Sequence, residues 1–220
     1  RVRNGGRAFT ITGQRTFEDT VLELNITDGE QECLRAISSV LNPRFLQGNA
    51  GFALGIVTGD NEEYIKREAS EGYETVLRGS DIWRYAIRPG ENYIRFEPEQ
   101  FQQAAPAEMY RAPEKLLYRF ISEVPVFAYD NSGMLSLNSC NILIPRIEGL
   151  HIKYVLAVLN SSVAAFYLCK KYDSVKMLRS HLERFPIAGV SFVEQEPIIE
   201  AVDHLMESTG NLTDQYRALD

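Results

Sequence analysis

Cysteine is scarce in this chain of 220 residues: there are three, Cys33, Cys140 and Cys169, far apart and odd in number. With no C-x-x-C pair among them, neither a disulfide framework nor a zinc site is indicated, and a reducing, cytoplasmic setting is expected. Long apolar runs are missing as well. Nothing approaches the roughly 18 apolar residues of a membrane span, and the start RVRNGG lacks the apolar stretch of a signal peptide. No membrane partner is expected. Positive charge is in deficit, with 23 Lys and Arg against 30 Asp and Glu and a formal net charge of −7. A protein that grips nucleic acid over its whole surface is thereby excluded, because such binding rests on cations neutralising phosphates. Any contact of that kind has to come from a local basic patch. His151, His181 and His204 show no metal-ligand spacing, so no metal is assigned.

Catalytic signatures are absent too. There is no G-x-G-x-x-G loop or P-loop, no G-x-S-x-G elbow and no H-E-x-x-H. No Asp or Glu stands two residues before a lysine as metal-dependent nucleases require, so no catalytic residue is assigned and chemistry has no visible home in the chain. The first residue is Arg1, with no initiator methionine, which reads either as processing or as a piece of something longer.

What is present is a 45% hydrophobic content, ample for a core. Loose alternation from Arg7 to Leu24 around Gly13-Gln14 predicts two strands. Cys33, Leu34, Ile37, Val40 and Leu41 lie at helical spacing between Glu30 and Leu41, and Asn42-Pro43 stops that helix. Short strands are expected from Phe52 to Val57 and from Tyr64 to Lys66, around the Thr58-Gly59-Asp60-Asn61 turn, and another from Tyr93 to Phe96. A short helix is read from Gln100 to Ala107. Pro113 suits a first helical turn, with Leu116, Leu117, Phe120 and Ile121 as one apolar stripe behind it. Val126 to Tyr129 and Met134 to Ile144 flank Asp130-Asn131-Ser132-Gly133 and read as a hairpin. Ile152 to Leu168 has the strongest helical spacing, with Asn160-Ser161-Ser162 placed to bend or divide it. Helices from Val175 to Arg184 and from Glu196 to Ala218 follow, the last acidic. The expected class is α+β: mixed small sheets and hairpins, packed helices and a helical C-terminal part.

Four groups of polar residues carry a functional and a plain structural reading. Thr58 and Asn61 stand in a tight turn that either reverses the chain or projects polar groups towards bases, where asparagine pairs with adenine. Arg78, Arg84 and Arg88 interleave with Trp83 and Tyr85, a mixture suited to phosphates, stacking or base edges. The alternative is a surface turn with Trp83 buried and the arginines paired to Asp81 or Glu74. Lys115 and Arg119, four apart on the expected helix, either bind an anion together or form a solvated face. Lys170, Lys171, Lys176, Arg179 and Arg184, with His181, make the densest basic stretch, read as a phosphate track or as compensation of a helix C-terminus.

Six blocks in order then carry a resemblance: GIVTGDNEEYI (Gly55 to Ile65), VLRGSDIWRY (Val76 to Tyr85), KLLYRFIS, VFAYDNSGMLSLNSCNILIP, IKYVLAVLNSSVAAFY and LRSHLERFPI (Leu178 to Ile187). Together they resemble the target-recognition domain of adenine-specific DNA methyltransferases of the TaqI and Eco57I type, including enzymes that carry restriction and modification on one polypeptide. The resemblance implies a non-catalytic domain that binds double-stranded DNA beside an N-terminal methyltransferase domain, with S-adenosylmethionine held there and no cofactor in this chain. It implies segments 1–45 of unclear assignment, 46–190 as the recognition domain and 191–220 as an acidic helix. Arg78 and Arg84 become candidate phosphate or guanine contacts, Thr58 and Asn61 polar contacts from their turn, and Lys115, Arg119 and Lys176 phosphate ligands. The shared blocks read as scaffold; the base-reading side chains are expected in Glu68 to Thr75, Ala86 to Asn92 and Phe101 to Arg111. The family's Asn-Pro-Pro-aromatic motif is missing, and Asn42-Pro43-Arg44 does not replace it. Two other readings remain: a structural or protein-interaction module that docks through its acidic helix, and a fragment retaining methyl transfer or strand cleavage.

Overall fold

The computed structural model describes residues 2–4, 7–10 and 26–207. In chain order the elements are β1 (Val2–Asn4), β2 (Arg7–Phe9), α1 (Asp28–Ser38), β3 (Pro43–Arg44), β4 (Ala50–Ala53), α2 (Asn61–Tyr64), β5 (Ile65–Lys66) and β6 (Glu74–Leu77). There follow β7 (Ile82–Trp83), β8 (Ala86–Ile87), β9 (Tyr93–Ile94), α3 (Ala107–Tyr110), β10 (Lys115–Arg119), β11 (Phe127–Asp130), β12 (Leu135–Ser136) and β13 (Cys140–Pro145). The remainder is α4 (Ile152–Asn160), α5 (Ser162–Tyr172), α6 (Arg179–Glu183), β14 (Ile187–Ala188) and α7 (Phe192–Glu207). This is an α+β fold with a helical C-terminal part. The strand reading from Ile11 to Leu24, and the last helix beyond Glu207, fall outside the described residues.

A four-stranded antiparallel sheet in the order β11-β10-β13-β4 lies at the centre. Alternate residues serve opposite faces, so Leu116, Tyr118, Phe127 and Leu143 join a core with α1, α4, α5, α6 and α7. Leu117, Ala128, Ile142 and Ile144 join a second core under the sheet β12-β6-β9-β5. Both faces of the central sheet are therefore buried. That explains the main disagreement with expectation: Lys115–Arg119 is a strand and not a helix. A strand covered on both sides reads as a continuous apolar run, which periodicity cannot tell from a buried helix.

The hairpin expected across Asp130 to Gly133 is also corrected. The turn is there, with Asp130 Oδ1 accepting from Ser132 N at 2.8 Å and Gly133 at φ 71. The chain leaving it pairs elsewhere: β11 joins β10, whereas β12 runs parallel to β6 in the other sheet. The Gln100 to Ala107 helix is replaced by a 3-10 turn at Pro98–Gln100 and by α3. The Val175 to Arg184 helix shrinks to α6, because Lys176 bridges Ile121 in extended backbone instead.

Other expectations hold. The helix expected from Glu30 to Leu41 is present as α1, shifted to Asp28–Ser38, because Thr27 caps it: its hydroxyl accepts from Glu30 N at 3.2 Å while the Glu30 carboxylate accepts from Thr27 N at 2.7 Å. The long helix divides at Ser161 into α4 and α5, bent by 60°. Ser161 ends one helix and caps the next, accepting from Ala164 N at 3.1 Å. No single helix among the described residues is long and apolar enough to cross a membrane. Helix α7 packs Val202 and Leu205 into the helical core, so the inner face of the acidic helix is occupied within the domain.

Candidate nucleic-acid interface

Strands β7 and β8 form a minimal hairpin, pairing Ile82 with Ile87 and Trp83 with Ala86 across the two-residue turn Arg84-Tyr85. Tyr85 sits at φ 64, a left-handed conformation that costs a side-chain-bearing residue on the order of 1–2 kcal/mol. Two contacts offset it: the ring is 4% exposed, and its N–H donates to the Phe127 carbonyl at 2.9 Å. The guanidinium of Arg84 donates to the main-chain carbonyl of Asn160, the last residue of α4, where the helix dipole favours a cation. Asn160 is buried and clasps β11, accepting from Phe127 N at 2.9 Å and donating to Phe127 O at 3.0 Å. Both turn residues are thus tied to the body of the domain. Trp83, one step before them, is left 46% exposed, against the reading that buries it.

Two further arginines meet this indole. Arg119, at the end of β10, donates its Nε–H to the Ile82 carbonyl at 2.7 Å and holds its guanidinium carbon 5.2 Å from the Trp83 ring centroid. Arg88 approaches the same ring, also at 5.2 Å. Such cation–π contacts fix long side chains that otherwise sample many rotamers. A groove of about 440 Å³ runs from Trp83 and Arg84 past Arg119 to Ile121 and Val124. Lys176 reaches the same edge through its bridge to Ile121, held by Ser122 N to Val175 O at 2.9 Å and Met177 N to Phe120 O at 2.8 Å. Arg84 and Arg119, distant in sequence, line this groove together, and the backbone of Lys176 borders its Ile121 end. Arg88 and Trp83, named in the sequence as part of the arginine–aromatic group but not among the expected contacts, lie at the centre of this cluster.

The other candidates lie differently. Lys115 is fully buried: its ammonium is paired with Asp130 and donates to the Tyr110 carbonyl at 2.5 Å. In this fold it presents nothing to a phosphate: Lys115 and Arg119 share one face of the strand, but the Lys115 end is covered by Asp130 and Tyr110 while the Arg119 end lies at the edge of the sheet. Burial alone would push the Asp130 carboxyl up, but Lys115 and Ser132 hold it below the usual carboxylate range. Thr58 is buried, donating to Asn61 Oδ1 at 2.8 Å, so its hydroxyl shapes the turn. Asn61 is exposed and opens α2, which Asp60 caps by accepting from Glu62 N at 2.9 Å. Arg78 is half-buried with its Nε–H unpartnered; Asp81 accepts from its backbone N–H at 2.8 Å and leaves the guanidinium alone. Glu74 pairs with Arg111, not with either motif arginine.

At least two of the five cations of the dense basic stretch are paired with carboxylates within the fold. Lys170 pairs with Glu30 at 2.7 Å and Arg179 with Glu183 at 2.8 Å. His181 stacks on Tyr172 at 3.9 Å, and its burial pushes the imidazole pKa below the usual value, which removes it as a cation at neutral pH.

The shared blocks meet at one place. A Cβ on Gly55 would stand 2.1 Å from the Leu137 carbonyl oxygen, and one on Gly79 would stand 2.5 Å from that of Ser139. Both glycines let backbone lie directly on the link between β12 and β13, which is why the first two blocks require them. The domain model for the TaqI-like C-terminal specificity domain matches residues 74–187, more than half of the chain. The chain belongs to that family. This specificity domain is 36% identical over 82 residues to the Type II methyltransferase M.VspI of Vibrio sp. (strain 343), a match covering 36% of the chain and 20% of that protein. It therefore spans a fifth of the length of that curated relative. Among solved structures, a chain of a type I R-M system complex matches with TM-score 0.50 and 14% identity, covering 87% of this domain and 48% of that chain. The HsdS subunit from Thermoanaerobacter tengcongensis gives TM-score 0.47 at 16% identity, with 86% and 44% covered.

Proposed function

We propose that this specificity domain recognises a DNA target sequence for an adenine-N6 methyltransferase or a type II restriction-modification enzyme. It holds duplex DNA against a catalytic domain outside the chain. The observation that carries this reading is the convergence of Arg88 and Arg119 on one exposed indole, with Arg84 lining the same groove, on a domain whose formal net charge is −7. A local cationic cluster on an acidic body is what a DNA contact requires here, since phosphate contacts position a duplex and neighbouring side chains then read base edges. The family and the methyltransferase relative supply the class of parent enzyme.

Methyl transfer is assigned to the parent's catalytic domain, an N-terminal one, with S-adenosylmethionine bound there. The residues of this chain do not fit that role. Asn42, the nearest approach to an Asn-Pro-Pro motif, uses its side-chain amide to donate to the Gly189 carbonyl at 3.0 Å, which fastens β3 to β14. Adenine would be extruded from the stack towards the catalytic domain while this domain holds the flanking duplex. Selection of bound duplexes from a pool with a randomised centre tests the reading. Enrichment of one short sequence containing adenine is expected, with affinity falling steeply as salt rises. Retention of every sequence equally, or of none at low salt, would sink it.

A further inference from the structure

Building on that function, we infer that the Trp83 hairpin is a preformed contact for one stretch of DNA strand. The indole lies against a deoxyribose and its base edge, and Arg88 and Arg119 hold the phosphates on either side. The turn behind the indole is fixed by Arg84 on Asn160 and by Tyr85 on Phe127, so Trp83 is presented without loss of freedom on binding. Its two guanidinium neighbours are held equally close, each 5.2 Å from the ring, and Arg119 is further anchored by its Nε–H. That anchor leaves the terminal nitrogens of Arg119 directed to other acceptors.

The rest of the groove selects among anionic ligands. Ile121 and Val124 are 63% and 45% exposed and form an apolar lip unsuited to a free anion but suited to a sugar or a thymine methyl. Glu123 borders the same groove; its carboxylate repels a bare phosphate and accepts a hydrogen bond from the exocyclic amine of cytosine or adenine. Tryptophan and arginine also mark protein interfaces. The excess of cations over the single carboxylate, on a chain that is acidic overall, favours nucleic acid.

Trp83 is the sole tryptophan of the chain, so its emission reports this site alone. The experiment titrates the chain with the randomised duplex pool at low salt, following indole emission and, in parallel, the anisotropy of end-labelled duplex. The two signals should saturate together. Trp83→Ala should weaken binding about tenfold, and Trp83→Phe should retain most of the affinity. Arg88→Ala should lower both the affinity and the salt slope, the latter by about one. Both side chains are exposed, and thermal melting verifies that each variant folds. Binding by anisotropy with unchanged emission and a silent Trp83→Ala would overturn the inference while leaving DNA recognition intact. No binding to any duplex would remove both. An emission change with a purified methyltransferase domain, and none with duplex, would reassign the face to a protein partner.

Discussion

Strand β10 begins with Lys115 and ends with Arg119, and its two ends treat a cation in opposite ways. At the first, the ammonium is sealed against Asp130 and the Tyr110 carbonyl with no exposed surface. At the second, a guanidinium spends one N–H on the Ile82 carbonyl and lies beside an exposed indole, with the remaining donors at the surface. A basic residue in a recognition domain is thus not evidence of recognition until its surroundings are known. A cation walled in by protein acts on folding; one held at the rim by a ring and a carbonyl is available to a ligand.

The largest expected effect tests the buried end. Lys115→Ala leaves the Asp130 carboxylate without its counter-ion and should cost about 3–5 kcal/mol in chemical denaturation. The duplex affinity of the protein that remains folded should stay unchanged. If that affinity falls tenfold, the contrast between the two ends fails. Next, Asn160→Ala strips two bonds from the buried Phe127 backbone but keeps the main-chain carbonyl to which Arg84 donates. About 2–4 kcal/mol of stability should go, given what an orphaned buried polar group costs. As with Lys115→Ala, the duplex affinity of the folded fraction should stay unchanged, because the Arg84 and Tyr85 bonds that hold the Trp83 turn both end on main-chain carbonyls.

Acid sharpens the same comparison. The Asp130 carboxyl is held below its ordinary value, so the unfolded chain takes up that proton at a higher pH than the folded one. Its contribution is complete above about pH 4 and is lost as the pH falls through the lower folded value. In that range the stability of wild type should fall more steeply as the pH drops than that of Asp130→Asn. Parallel acid curves would show that the pair is not what titrates. The smallest stability effect belongs to Arg119→Ala, under about 1 kcal/mol because the site is at the surface. Its affinity for duplex should nevertheless drop about tenfold. A loss of stability with no loss of affinity would make Arg119 a mere strap on β7.

How much of this was legible in the sequence depended on whether the information was local. The reciprocal cap at Thr27 and the break at Ser161 are determined within a few residues, and both were readable. So were the six family blocks, whose glycines answer to close backbone approach. Strand β10 was read as a helix because burial on both faces erases the period of two. The turn at Asp130 was also readable, since its side chain binds the next backbone N–H groups, but no turn dictates which strand receives the chain afterwards. The site suffered most from this. Lys115 and Arg119 share a face in a strand as in a helix, but here that face is covered at one end and open at the other, which the spacing of the two residues does not reveal. A hairpin with two residues a side carries no periodicity, so the exposure of Trp83 was not written locally at all.

The path of the chain between the two sheets has a consequence for how such a domain changes over time. From β4 it leaves the central sheet for β5, β6 and β9, returns as β10 and β11, departs again for the two-residue β12 and comes back as β13. Because it is laced in this manner, neither core can be completed before the other, and the partners in each stitch are far apart in sequence. One cooperative unfolding transition and comparatively slow folding follow from such long-range pairing. A recombinant that joined the front half of one homologue to the back half of another would put mismatched partners into both the β4–β13 and the β6–β12 pairings at once. Exchange of specificity is therefore confined to side chains and loops on the rim, with the laced body inherited whole.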